Sequence, residues 1–324
     1  MKHRSIYMIG ILFLAAVVLA ACGGGSSSGS SSTDSNQDSS NEGNAEEDSG
    51  GDGNMRTYTD SLDREVKIPK NPEDVVAINY FGELSALGIK PVGALEYDLN
   101  KYRAELTEGI ESVGSEQSDA EKIISLDPDL IVVSNYRETE AIENLQKIAP
   151  TVALEFGAPL REQLNIVAEV TGREEAAQEW IQQYEEDVQQ AREEMDPYIE
   201  EGATAAVMQF YDKNIHMYET SAFPTIYDAA QFEPTEKAAQ ITDPVTLSEE
   251  IIPEYGADHI FVMFSNSTAE ENYQQLKQKD VWQSLSAVQN GNVHVVDNEY
   301  WSEFNPVLVE RQLDTLVSKI TESE

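Results

Sequence analysis

The chain has 324 residues with 60 Asp and Glu against 21 Lys and Arg, a formal net charge of −39, and one cysteine. So large an excess of carboxylates excludes nucleic-acid binding, which needs a basic footprint, and a lone thiol excludes an intrachain disulfide. The charge describes a solvated acidic surface suited to salty or alkaline surroundings, and by itself it names no ligand.

Residues 1–22 read as a lipoprotein signal peptide. Lys2 and Arg4 give a basic start, Ile6 to Val18 an apolar run, and Leu19-Ala20-Ala21-Cys22 a small-residue cleavage box ending in the cysteine. A membrane-spanning helix needs roughly 20 apolar residues. This run is shorter and stops at Cys22, which is therefore the expected lipidation site. Residues 23–55 are Gly, Ser, Asp, Glu and Asn with almost nothing apolar, too little to offset their ordering entropy. They are expected to form a disordered tether with a reach on the order of 30 Å. Everything after them is then lipid-anchored on the extracellular face of a cell membrane, and the long acidic tether favours a Gram-positive surface.

The body exceeds the usual size of a single core, so two domains are expected. Its segments alternate between strand-like and helix-like, as in α/β layers. Strands are predicted at Asp74–Asn79, Pro91–Leu95, Leu130–Ser134 and Thr151–Leu154, with helices at Phe81–Leu87, Ala120–Leu126 and Glu138–Ile148. The middle differs: 161–170 and 174–195 read as helices with no strand between them. In the second of these, Trp180, Tyr184, Val188 and Ala191 recur at helical spacing until Pro197 and Gly202 stop it. The alternation then restarts with strands at Ala203–Phe210, Ile215–Tyr218, His259–Phe264 and Val293–Val296, a helix near Phe223–Ala230, and a closing helix from Pro306 to Ile320. The expected divisions are 56–160 for a first α/β lobe, 161–202 for a helical linker and 203–324 for a second α/β lobe.

The halves carry a weak internal repeat. Glu121-Lys-Ile-Ile-Ser-Leu-Asp-Pro-Asp129-Leu-Ile-Val-Val resembles Glu250-Ile-Ile-Pro-Glu-Tyr-Gly-Ala-Asp258-His-Ile-Phe-Val, with a glutamate eight residues before the aspartate that opens a strand. An acid in a first helical turn is ordinary, because the helix dipole favours it. Matched positions in both halves are not.

Together with Tyr58–Pro72, Leu87–Gly93, Ile148–Val152, Val281–Leu285, Gly291–Asp297 and Tyr300-Trp301, that repeat resembles the siderophore-binding lipoproteins of bacterial ABC importers. The likeness covers the whole body, and it rests on the order and spacing of the motifs rather than on any one of them. It implies an α/β fold of two Rossmann-like three-layer lobes joined by a single long helix, the helical-backbone class of periplasmic binding proteins. Such lobes move little, and the ligand sits in a shallow cleft between them. By the same resemblance Glu121 and Glu250, one per lobe, dock on basic residues of the permease.

Ferric siderophores are bulky chelates, so their site needs aromatic walls and a few aimed donors. Strand ends and the loops after them are where open α/β sheets bind ligands. In the first half these are Tyr80, Tyr97, Tyr136 and Arg137, and in the second half Tyr211, Tyr218, Phe223, Trp301 and Phe304. Arg137 is the donor suited to carboxylate or hydroxamate oxygens. Trp301 aligns with an aromatic that lines the cleft in the hydroxamate-binding branch. One departure matters: between Tyr218 and Tyr227 the chain lacks the longer Trp-Gly-Arg type segment of hydroxamate binders, so a cleft arginine from the second lobe is missing. No metal site is expected, since His216, His259 and His294 lie within strand patterns and form no cluster. No cofactor is expected either.

The resemblance implies a monomeric binding protein, not an enzyme, that captures a ferric siderophore and passes it to an ABC permease dimer with its ATPase. No GxSxG, P-loop, HExxH or Rossmann glycine motif is present. Hydroxamate-type cargo is favoured, because a strongly anionic body should repel multiply anionic chelates and accept neutral or cationic ones. Ferric citrate or another carboxylate siderophore, haem and cobalamin remain alternatives on the same scaffold.

Overall fold

The computed structural model describes residues 53–322. The signal peptide, Cys22 and nearly all of the expected tether lie outside them. Residues Asp52–Glu324 form one compact unit, and no helix among the described residues is long and apolar enough to cross a membrane. Residues 53–55, assigned to the tether from composition, belong instead to this unit: Lys70 donates its backbone N–H to Asn54 at 2.7 Å. They sit at the start of an antiparallel hairpin, β1 (Met55–Thr59) and β2 (Glu65–Pro69), that the sequence reading did not anticipate. The hairpin is held by Asp60, whose carboxylate accepts from Leu62 N, Arg64 N, the Arg64 guanidinium and, 93 residues away, Ala153 N.

The first lobe runs β3 (Val75–Ala77), α1 (Phe81–Ala86), β4 (Gly93–Ala94), α2 (Glu96–Lys101), α3 (Ala104–Thr107), β5 (Glu111–Ser112), α4 (Ala120–Ser125), β6 (Leu130–Ser134), α5 (Thr139–Leu145) and β7 (Thr151–Leu154). Its five strands are all parallel, in the order β5-β4-β3-β6-β7. Alternate residues face opposite sides. Val75, Ala77, Leu130 and Val132 enter one core, and Val76, Ile131 and Val133 enter another, so the sheet is covered on both faces.

Two helices follow without an intervening strand: α6 (Leu160–Thr171) and α7 (Glu174–Met195). Gly172 between them has a positive φ of 67°. A Cβ there would meet the Lys70 carbonyl oxygen at 2.4 Å, so only glycine fits this turn.

The second lobe contains β8 (Thr204–Tyr211), β9 (Asn214–Met217), β10 (Glu233–Pro234), β11 (Val245–Leu247), β12 (His259–Phe264), α8 (Ser267–Leu276), α9 (Asp280–Gln283), α10 (Ser286–Gln289), β13 (Val293–Val295), α11 (Asn298–Trp301) and α12 (Pro306–Thr321). Its sheet runs β11-β9-β8-β12-β13 with β10 beside the start of β8. Again the strands split between two cores: Ala205, Val207, Phe261 and Met263 on one side, Ala206, Met208, Ile260 and Val262 on the other. The helix expected near 223–230 is a short π-helical turn, Thr225–Ala229.

The internal repeat is structural. Asp129, just before β6, accepts the backbone N–H groups of Glu73 and Asp74 that lead into β3. Asp258, just before β12, accepts from Thr204 N at 2.9 Å at the start of β8. In each lobe one carboxylate therefore fixes the start of the neighbouring parallel strand.

The long helix α7 gives Ala177 to the first-lobe core and Tyr184, Val188, Ala191 and Met195 to the second. It is not the only bridge, because α12 does the same with Leu308 on one side and Val309, Leu313, Leu316 and Ile320 on the other. Trp180 packs against both cores, and its indole N–H donates to Glu310 of α12 at 2.6 Å.

Candidate functional site

The order β5-β4-β3-β6-β7 reverses between β3 and β6, and ligands of open α/β sheets bind outside the carboxyl ends of strands at such a reversal. There the chain forms a cleft of about 570 Å³, within the usual range for small-molecule sites. Ile78, Asn79 and Tyr80 follow β3, Ser134 ends β6 and Arg137 follows it, Phe156 and Gly157 follow β7, and the second lobe contributes Ala222 and residues 302–305. A second hollow of about 520 Å³ shares Phe156, Gly157, Leu160, Ala222 and Phe304 with it.

Of the expected residues, Tyr80, Tyr97, Arg137 and Phe304 line this cleft together. Tyr80 is held in a left-handed conformation (φ 65°) ahead of α1, with its hydroxyl 2.9 Å from the Glu155 carbonyl. Burial pushes its phenol well above the usual range. Tyr97 donates to Glu303 and accepts from Lys101 at 3.0 Å. Arg137 spends one nitrogen on the Glu116 carbonyl at 2.9 Å, and it is the one arginine lining the cleft among the described residues. Tyr136, 81% exposed, stands at the rim with its ring 5.4 Å from that of Phe156.

Of the second-lobe expectations Phe304 lines the cleft, and the other four do not. Trp301 is 2% exposed and lies parallel to Phe261 in the second-lobe core; the cleft is met by the residues after it. Phe223 is likewise buried, at 6% exposure. Tyr218 packs on the same core and donates to Gln209 at 2.6 Å, and Tyr211 projects beside His216. Trp301 and Phe223 are taken up by the second-lobe core, while the β8–β9 hairpin turns the chain straight back on its own sheet and keeps Tyr211 and Tyr218, at its two ends, away from the cleft. His259 and His294 are buried side by side, 3.1 Å between ring nitrogens, on neighbouring strands. Burial lowers the pKa of both, that of His294 to about 4.

Sequence reasoning missed the polar end of the cleft. Glu83, on α1, lines it at 6% exposure, and Asp98, on α2, lies beside it. Burial, and next the Asp98 and Glu303 charges, raise the Glu83 carboxyl to about 7. Burial, and next Glu303, lift Asp98 to about 7 against the pull of Lys101 and Arg137. Glu303 pairs with Lys101 at 2.7 Å. Asn305 donates to the Tyr102 hydroxyl at 2.8 Å and caps α12 through Leu308 N. Gln163, 5% exposed, presents an amide Nε2 with no partner. Phe156 was legible by the rule that placed Tyr80 and Arg137, since it follows a strand; Glu83, inside a helix, was not.

Glu121 and Glu250 lie away from the cleft, both exposed and free of ion pairs.

A family model described as periplasmic binding protein matches residues 76–300. The chain is 32% identical over 268 residues to the iron(3+)-hydroxamate-binding protein FhuD of Bacillus subtilis, covering 79% of this chain and 84% of that one. It is 30% identical to the probable siderophore-binding lipoprotein YfiY of the same organism, covering 76% and 82%. Among solved structures, a FhuD-fold periplasmic binding protein component of a Fep/Fec-like ferrichrome ABC transporter from Bacillus subtilis superposes with a TM-score of 0.72 at 29% identity, covering 82% of this chain and all of that one. Staphylococcus aureus SirA, crystallised with staphyloferrin B, shares the fold at 24% identity and a TM-score of 0.68, covering 82% and 98%. With two three-layer lobes bridged by a long helix and a cleft at the strand ends, the chain belongs to the periplasmic binding protein family.

Proposed function

We propose that the chain captures a ferric siderophore, of the hydroxamate type, and delivers it to an ABC importer. The observation that carries this reading is the cleft at the β3–β6 reversal: about 570 Å³, walled by Tyr80, Phe156 and Phe304, with a single guanidinium aimed into it. That combination suits a bulky chelate whose iron is already enclosed by oxygens, where the protein meets the organic shell and not the metal. Similarity to an iron(3+)-hydroxamate-binding protein across four-fifths of the chain supports the same cargo. The acidic lining disfavours polyanionic chelates such as ferric citrate.

Calorimetric titration of residues 52–324 with a ferric trihydroxamate tests this. Saturable one-to-one binding is expected, weakened about tenfold by Arg137→Ala, the size of one charge-assisted contact. Binding of haem, cobalamin or ferric citrate in its place would overturn it.

Delivery follows from Glu121 and Glu250, two unpaired exposed carboxylates at matched positions of the two lobes, suited to basic residues of a permease dimer. Glu121→Ala with Glu250→Ala is expected to abolish uptake in cells while leaving ligand affinity unchanged; lost affinity would place these residues elsewhere in the mechanism. Export, lipidation at Cys22 and a tether before the compact unit complete the reading, which keeps a monomer on the extracellular face of the cell membrane. Mass spectrometry of the membrane-extracted protein checks the acylated N-terminus.

A further inference from the structure

The cleft has more negative charge than a neutral chelate requires. Glu83, Asp98, Glu116 and Glu303 line it against Arg137 alone, and only Glu303 has a cation in contact, through Lys101 at 2.7 Å. A buried carboxylate normally sits beside a cation or accepts several hydrogen bonds, because desolvation of an unpaired charge is costly. Glu83 has no cation and only one such donor: it is 6% exposed, its own backbone N–H donates to it but no side chain does, and the charges acting on it are the acids Asp98 and Glu303. Phe81 and Tyr102, their rings stacked with centroids 4.8 Å apart, line the same cleft. Close by in the same cleft, Gln163 leaves a buried amide unpaired, a donor for a carbonyl or hydroxamate oxygen.

Resting on the siderophore reading above, we propose that Glu83 and Asp98 form a subsite for a protonated amine carried by the chelate. A primary ammonium, compact and with three donors, fits between two carboxyls and beside aromatic faces, where cation–π attraction adds to the pairing. The transported molecule is then a ferric hydroxamate with a pendant ammonium group and a net positive charge. The same two carboxyls discriminate against chelates with pendant carboxylates.

The test compares ferrioxamine B, a linear ferric trihydroxamate ending in a primary ammonium, with its N-acetylated form, by calorimetry at pH 8 on residues 52–324. The amine form is expected to bind at least about tenfold more tightly, the effect of one well-placed charge pair in a partly dry site. Glu83→Gln and Asp98→Asn should erase that preference, bringing the ratio of the two affinities to about one. Equal affinities of the unmodified protein for the two chelates would overturn the amine subsite and leave the siderophore reading standing. Failure of both chelates to bind would overturn the siderophore reading, and the subsite with it. Because the wild-type comparison needs no substitution, a variant that misfolds does not decide the outcome.

Discussion

Glu83 ties the stability of the fold to pH through one buried carboxyl. Its carboxyl is raised from 4.5 to about 7, first by burial. A folded value above the unfolded one means that the folded chain takes up the proton first, so no stability is lost below about pH 4.5, and the loss is complete once pH exceeds about 7. Glu83→Gln should therefore raise stability at pH 8 by up to about 3 kcal/mol and change it little at pH 4, as read from urea unfolding at both values. A residue kept only for packing would show no such pH dependence. The buried pair His259 and His294 carries the opposite sign. Their lowered values mean that the unfolded chain binds protons more readily, and stability is lost as pH falls from about 6.5 toward 4.

At the scale of elements, the contacts around residues 302–305 tie the second lobe to the first. Glu303 reaches Lys101 and Tyr97, and Asn305 reaches Tyr102 while its side chain lies against Gly82. A Cβ at Gly82 would come within 2.3 Å of Asn305 Oδ1, an atom fixed by its cap to Leu308 N. Gly82→Ala is expected to cost about 1–3 kcal/mol, and adding Asn305→Ala should recover part of it in a double-mutant cycle. Elements with a strong period were legible: β6, β7, α7 and β12 fall where the apolar pattern places them, and α6 and α12 differ by a residue or so. The β1–β2 hairpin was not, because burial along β1 alternates weakly and each strand has only five residues, while Asp60 in its turn is tied to Ala153, far along the chain. The short helices α2, α3 and α11 were missed for a related reason: four to six residues are too few to show a period.

The whole molecule is bridged by two helices, α7 and α12, each embedded in both lobes' cores. Sliding one lobe past the other would tear apolar surface from both at once. Small-angle scattering is accordingly expected to show little change in radius of gyration on ligand binding, and a marked contraction would contradict the double bridge. The net charge of −39 adds a second expectation. Carboxylates repel within the compact state, so Tm should rise as salt increases to about 0.3 M, where the screening length falls to a few ångströms.

The sequence by itself determined the α/β alternation, the long connector, the repeat that places Glu121 and Glu250, and the acidity of the whole chain. These are properties of period, spacing and composition, which survive without knowledge of distant neighbours. Only the tertiary structure decided which aromatics face the cleft. Trp301 and Phe223 turned inward because the cores of a sheet covered on both faces take large apolar side chains, and Phe156 was left at the rim at 67% exposure. The gathering of Glu83, Asp98 and Glu303 was likewise a tertiary event: they are separated by up to 220 residues, and the charge that one feels from another depends on distance and burial, neither of which is written along the chain.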